Sequence, residues 1–377
     1  MIGRRSSLGC LHCKSVSIHD ASRTAAMDFP ESDSSLHARE QRVDAQESSW
    51  PKSVEPSPYA PIAYQSQSGD AASPPQVVAT AAPTKPTERW WTSIAVIGVS
   101  LLFFLLASVV MMVVATVYVH GIFSIRLLSN PDHLREVTQS PVALFLLIVA
   151  PQIALVTPCL IAAYLSPQPM SRRLALVRGN WPVWAWLAAA LATPLIGLVS
   201  GLVISFFIEE SDALREMSEI FRHQGKTGFT AQLILMVALT PALCEELLFR
   251  GYVQSRLTRA FPPVMGILFS SLAFAAFHMD PVHIIAVVPL GLFLGWLTWQ
   301  SGSLFPAMLA HFGNNLVSVL ATIIAPTPDS STLSLPALEF TLAILLLGCI
   351  GIVATSVASI VYRRPVTTST DPHTHPV

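Results

Sequence analysis

Cys244-Glu245-Glu246-Leu247-Leu248-Phe249-Arg250 closes an apolar run that begins near residue 229, and its reading decides how the chain folds. An ionised side chain at membrane depth costs a few kcal/mol on insertion scales, so it persists there mainly where it has a partner or a task. The run 229–248 itself approaches the roughly 20 apolar residues needed to cross about 30 Å of hydrocarbon. Working outward, comparable runs occupy 92–119, 141–165, 181–208, 262–278, 282–299, 303–325 and 336–362. The spacing therefore predicts an all-α fold, a polytopic transmembrane helical bundle of about eight spans with a disordered N-terminal tail.

Composition agrees: 52% of the 377 residues are hydrophobic and 12% are charged. A net charge of −1, with no basic stripe, excludes nucleic acid as a partner. The chain divides into a polar tail, 1–88, rich in Ser, Pro, Ala and Gln; a helical membrane domain, 89–364; and a polar C-terminal tail, 365–377. Met27 is a second possible start. Cys10-Leu11-His12-Cys13 has the spacing of half a zinc site but no second ligand pair nearby, while Cys159, Cys244 and Cys349 fall in apolar runs and imply no disulfide framework.

Basic residues sort by side. Lys85 and Arg89, then Arg172, Arg173 and Arg178, then Arg250, Arg256 and Arg259, and finally Arg363 and Arg364 would share one face if eight spans are crossed. That face is the cytoplasmic one, which makes both termini cytoplasmic. The segment 209–228 opposes it with Arg215, Arg222 and Lys226, and sets Leu214, Met217 and Phe221 at helical spacing, as an extramembrane amphipathic piece does.

Downstream of the acidic pair lie Phe274-Ala275-Ala276-Phe277-His278 and His311-Phe312-Gly313-Asn314-Asn315. Glu246 precedes Pro262 by sixteen residues and His278 follows it by sixteen, so an antiparallel hairpin turning at Pro262-Pro263 brings both to one depth. Asn315 stands one helical turn after His311. Three helices then project Glu245 or Glu246, His278, His311 and Asn315 into one polar pocket, with Arg250 one turn from Glu246 to pair with it. Neighbours on a helix point about 100° apart, so one glutamate faces the histidines and the other turns away. Such a pocket suits hydrolysis: a carboxylate and imidazole take a proton from water, and an amide with imidazole stabilises an oxyanion. Ordinary structure competes with this reading, since a Glu–Arg pair four apart and a lone intramembrane His are common packing devices. His283, beside Asp280, and Asn314 read as interfacial and structural.

These three motifs resemble the CPBP intramembrane protease family, which includes CAAX prenyl endopeptidases and bacteriocin-processing or immunity-type membrane proteins. The family pattern EExxxR, FxxxH and HxxxN is met by Glu245, Glu246 and Arg250; by Phe274 and His278; and by His311 and Asn315, within about 230–325. The resemblance implies an endopeptidase acting on a membrane-associated peptide or protein, CAAX-type prenylated proteins being the best-known substrates. It implies that Glu245 with His278 activates water, that His311 and Asn315 stabilise the oxyanion, and that Glu246 and Arg250 support them. Zinc held by the histidines and metal-free activation by carboxylate and imidazole both stay open. A catalytically silent scaffold or immunity-type binding protein of the same fold is the alternative. An ion-coupled transporter is disfavoured, because no repeats or paired interrupted helices are visible.

Overall fold

The computed structural model describes residues 89–122, 124–325 and 335–363. The tail 1–88, its Cys10 and Cys13, and the C-terminal tail 365–377 lie outside the described residues. All secondary structure among the described residues is helical.

Helix α1, Trp91–His120, ends where Gly121 takes the left-handed conformation (φ 74°) and donates its N–H to Val117 O. The turn leads to α2, Pro131–Gln139, which has Asn130 as its N-cap and Pro131 at its first position. Ser140 then caps α3, Pro141–Tyr164. Helix α4 spans Val183–Ser205. A continuous helical run, Asp212–Ala260, is broken by Gly228 (φ 94°) into an amphipathic α5, Asp212–Gln224, and α6, residues 230–260. After Pro262 come α7, Pro263–Ala276; α8, Pro281–Ser301; α9, Phe305–Ile324; and α10, Leu335–Val361.

Seven helical runs are long and apolar enough to cross a membrane. The eighth expected span is the exception. Helix α7 has 14 residues, about 21 Å at 1.5 Å each, short of the roughly 30 Å core. It ends early because Met279 adopts a left-handed φ of 57° and Asp280 N bonds back to His278 O, turning the chain directly into α8.

The outward surface is apolar. Leu102, Leu106 and Val109 of α1 and Leu346, Val353 and Ile360 of α10 are all exposed. Such a surface would be an aggregation hazard in water and is ordinary against lipid. The protein is an integral membrane protein. Trp181 is buried and packs edge-on against Trp296.

Contacts sort the connecting segments into two ends. At one, Arg256 donates to Thr92 Oγ1, Trp90 meets Phe261, Ser255 Oγ donates to Arg173 O, Asn180 N donates to Ser301 O, and Asn180 Nδ2 donates to Tyr362 O. At the other, α5 lies across the helix ends. Gln224 donates to the carbonyls of Thr138 and Gln139, and Arg222 Nε to that of Thr322. Both side chains supply donors to C-terminal carbonyls that have no partner inside their own helices. Phe221 packs with Leu144, Leu233 and Val319 below.

Candidate active site

Helix α6 carries the acidic pair on a segment that is not regularly wound. Wide π-type turns at Ile234–Leu239 and Leu247–Gln254 flank the α-helical Thr240–Glu246. Pro241 supplies one cause: it lacks an N–H, so in α-helical register it gives no donor to Val237 O, four residues earlier. Asn315 of α9 donates its Nδ2 to that carbonyl at 3.2 Å and accepts from Asn314 Nδ2 at 3.1 Å. The proline thus creates the acceptor that positions the asparagine.

Glu246 is fully buried, and its Oε1 accepts from Arg250 at 2.8 Å and meets His311 Nδ1 at 2.9 Å. A carboxylate paired with arginine acts as an acceptor, so Nδ1 carries the proton and Nε2 presents a lone pair. His311 Nε2 lies 4.0 Å from Glu245 Oε2, while Glu245 Oε1 accepts from Gln152 Nε2 of α3 at 2.8 Å. The longer separation exceeds a direct hydrogen bond and is one that a bridging water spans. Both glutamates therefore address the same imidazole from its two nitrogens. The expectation that one would turn to another surface does not hold, because His311 inserts between them.

Arg250 is anchored twice more. Its second terminal nitrogen donates to Gly291 O at 3.1 Å, and its guanidinium stacks over the Phe274 ring at 4.1 Å. Gln254, one turn on, donates to Gly295 O at 2.8 Å. Gly291 and Gly295 keep this face close: a Cβ would press on Phe274 Cδ1 at 3.2 Å at the first and would meet Gln254 Oε1 at 2.7 Å and Ile267 Cγ2 at 2.9 Å at the second.

His278 sits just past the end of α7. Its Nδ1 faces Phe274 O at 3.2 Å; a carbonyl only accepts, so Nδ1–H donates and Nε2 is the free nitrogen. Phe274 is edge-on to both His278 (5.1 Å) and His311 (5.7 Å). The hairpin expected from spacing is visible in Phe249, which meets Phe274 at 5.6 Å and Phe277 at 5.2 Å and accepts from Ser270 Oγ. Glu246 Oε1 meets both Arg250 and His311, and His278 approaches that group through Phe274.

Three participants were missed or set aside in reading the sequence. Gln152 holds Glu245 and was legible only as a lone amide in an apolar run. His283, read as interfacial, stacks on His278 with ring centroids 4.5 Å apart. Asn314, read as structural, orients Asn315 and lines, with His283 and Ser318, a cavity of about 260 Å³ between α4, α8 and α9. A larger apolar groove of about 660 Å³ runs beside it, lined by Leu195, Val199, Val203, Phe207, Ile285 and Pro289.

The site's donors do not gather into a three-ligand metal set. Nδ1 of His311 faces Glu246 and Nδ1 of His278 faces a carbonyl, which leaves Nε2 of each ring as the donor, but these do not close with Glu245 into a group of three within 4.8 Å. Among the described residues the one group of three such donors within 4.8 Å of each other is elsewhere, at His120, His133 and Glu136.

Residues 227–317 match the family model described as type II CAAX prenyl endopeptidase Rce1-like. The match spans all three motifs and supports the resemblance to the CPBP/CAAX protease family. No curated protein and no solved structure matches the chain.

Proposed function

We propose that this chain is a membrane-embedded endopeptidase hydrolysing a peptide bond in a membrane-associated protein or peptide, with Glu245 as the base toward water. One observation carries the reading: the relay Gln152–Glu245···His311–Glu246–Arg250, with its 4.0 Å interval between Glu245 Oε2 and His311 Nε2. Water held there donates to the carboxylate and to the imidazole lone pair. Its proton passes to Glu245 as its oxygen bonds to the peptide carbonyl carbon. The C–N bond then breaks, and Glu245 returns the proton to the leaving amine. Asn315 gives one amide hydrogen to Val237 O, which leaves the other for the oxyanion. His311 joins it there only as imidazolium, because the neutral ring has no proton on Nε2. His278, with its own free Nε2, is the second proton acceptor.

A lipid-modified substrate is supported by the pairing of a polar cavity at Asn314 and His283 with the apolar groove alongside. An acyl or prenyl chain fits the groove while the peptide reaches the relay. A cytoplasmic position for both ends of the membrane domain is supported by the arginine-bearing segments 89–92, 172–181, 255–262 and 362–363 meeting at one end of the bundle.

The test is cleavage by purified full-length protein in lipid vesicles. Peptide libraries with and without a prenylated cysteine are incubated and the products read by mass spectrometry, with Glu245→Gln as control. Cuts made by the unaltered chain and absent from the variant support the proposal. Binding of peptides without any cut would favour the scaffold reading.

A further inference from the structure

The geometry points to a divalent-metal site, of the kind that takes zinc, formed by His120, His133 and Glu136 at the end of the bundle opposite the arginine-bearing segments. His120 ends α1, the Gly121 turn reverses the chain, and α2 places His133 and Glu136 one turn apart on the face that meets it. Glu136 Oε2 stands 3.6 Å from His120 Nδ1 and 3.7 Å from His133 Nδ1. These separations are too long for hydrogen bonds, yet they suit donors sharing one ion: atoms about 2.0–2.2 Å from a tetrahedral zinc lie roughly 3.4 Å apart. All three donors fall within 4.8 Å of one another. His133 Nδ1, one of these donors, is buried with no hydrogen-bond partner among the described residues, and a buried imidazole nitrogen left unpaired is costly. Two imidazoles and a carboxylate are a borderline-soft set that favours zinc over calcium or magnesium, with a fourth position open to water.

The ion would pin α1 to α2. Helix α2 in turn receives Gln224 of α5 on its last carbonyls, and α5 leads through Gly228 into the helix bearing the glutamates. The site therefore fastens the extramembrane layer above the catalytic helix and stands apart from the relay.

Full-length protein, purified in detergent and stripped with chelator, is titrated with zinc chloride against a fluorescent chelator. Expected is one zinc equivalent, weakened at least about tenfold in Glu136→Gln and in His120→Asn and retained in a His278→Ala, His311→Ala double variant. Zinc should also raise the melting temperature of the unaltered chain and not that of Glu136→Gln. Glu136 is more than half exposed, so its amide variant tests binding without disturbing the core. Equal zinc affinity in the unaltered chain and Glu136→Gln, or loss of the ion from the His278/His311 variant instead, would overturn the assignment.

Discussion

Glu245 and Glu246 are adjacent in sequence and differ in what holds them. Glu245 is partly exposed, tied on one oxygen to an amide and open on the other; Glu246 is enclosed between a guanidinium and an imidazole. Glu245→Gln is expected to lower kcat by about 10²–10⁴-fold, the usual worth of a general base, with unchanged membrane level. Glu246→Gln removes the carboxylate that pairs with the buried Arg250 at 2.8 Å, a loss on the order of 3–5 kcal/mol of stability, and also frees His311. Its surviving folded fraction should therefore show a reduced kcat, which single-turnover assays corrected for folded protein would detect. Gln152→Ala removes one hydrogen bond to a charged group, worth about 1.5–3 kcal/mol, so a fall of roughly ten- to a hundredfold in kcat with little change in KM is expected. The Glu246–Arg250 pair was legible because a spacing of four on a helix fixes it. Gln152, ninety-three positions from its partner, was not, because only packing of α3 against α6 brings it there.

Helix α8 shows how an element can be specified by what it omits. Gly291-Leu292-Phe293-Leu294-Gly295 presents two bare backbone positions one turn apart, and Arg250 and Gln254 of α6, also one turn apart, donate to their carbonyls. Gly295→Val would drive a side chain into Gln254 and Ile267; overpacking of this kind costs about 1–3 kcal/mol. A lower melting temperature together with loss of activity is expected, and an unaltered melting curve would argue against this contact. The start of the same helix is set by Asp280, which accepts from His283 N at 2.8 Å. That bond, and then the Ser211 hydroxyl, hold its carboxyl below the ordinary 3.8. A depressed folded-state pKa contributes stability above the unfolded value and loses it as pH falls through the folded one. The acid limb of the unfolding profile, below about pH 4, should therefore flatten in Asp280→Asn. The short α7 was only half legible: Pro262-Pro263 marks its start, but its end depends on Met279 adopting a left-handed turn that no glycine announces.

At the scale of the molecule, apolar runs made the bundle legible, and basic residues sorted its ends before any contact was known. Turn chemistry then decided which runs became full spans. The tail 1–88 carries too little apolar content to build a core, so its removal should leave membrane level and cleavage intact; lost cleavage at normal level would assign it substrate recruitment. Sidedness is the stronger test, because contacts group the segments by end and the distribution of positive residues then assigns each end a side. The arginine-bearing segments meet at one end of the bundle, through contacts such as Arg256 with Thr92 and Asn180 with Tyr362, whereas α5 ties Gln139 and Thr322 at the other. Positive residues flanking short loops are retained in the cytoplasm. In a background without the native cysteines, a single cysteine at Gln168 should therefore resist a membrane-impermeant maleimide applied to intact cells and react once they are opened. A cysteine at the exposed Glu216 of α5 should react from outside. The opposite pattern would invert the protein. It would also move His278, at the end of α7 remote from Pro262, to the cytoplasmic side of the bundle, and the substrate would then have to arrive from there.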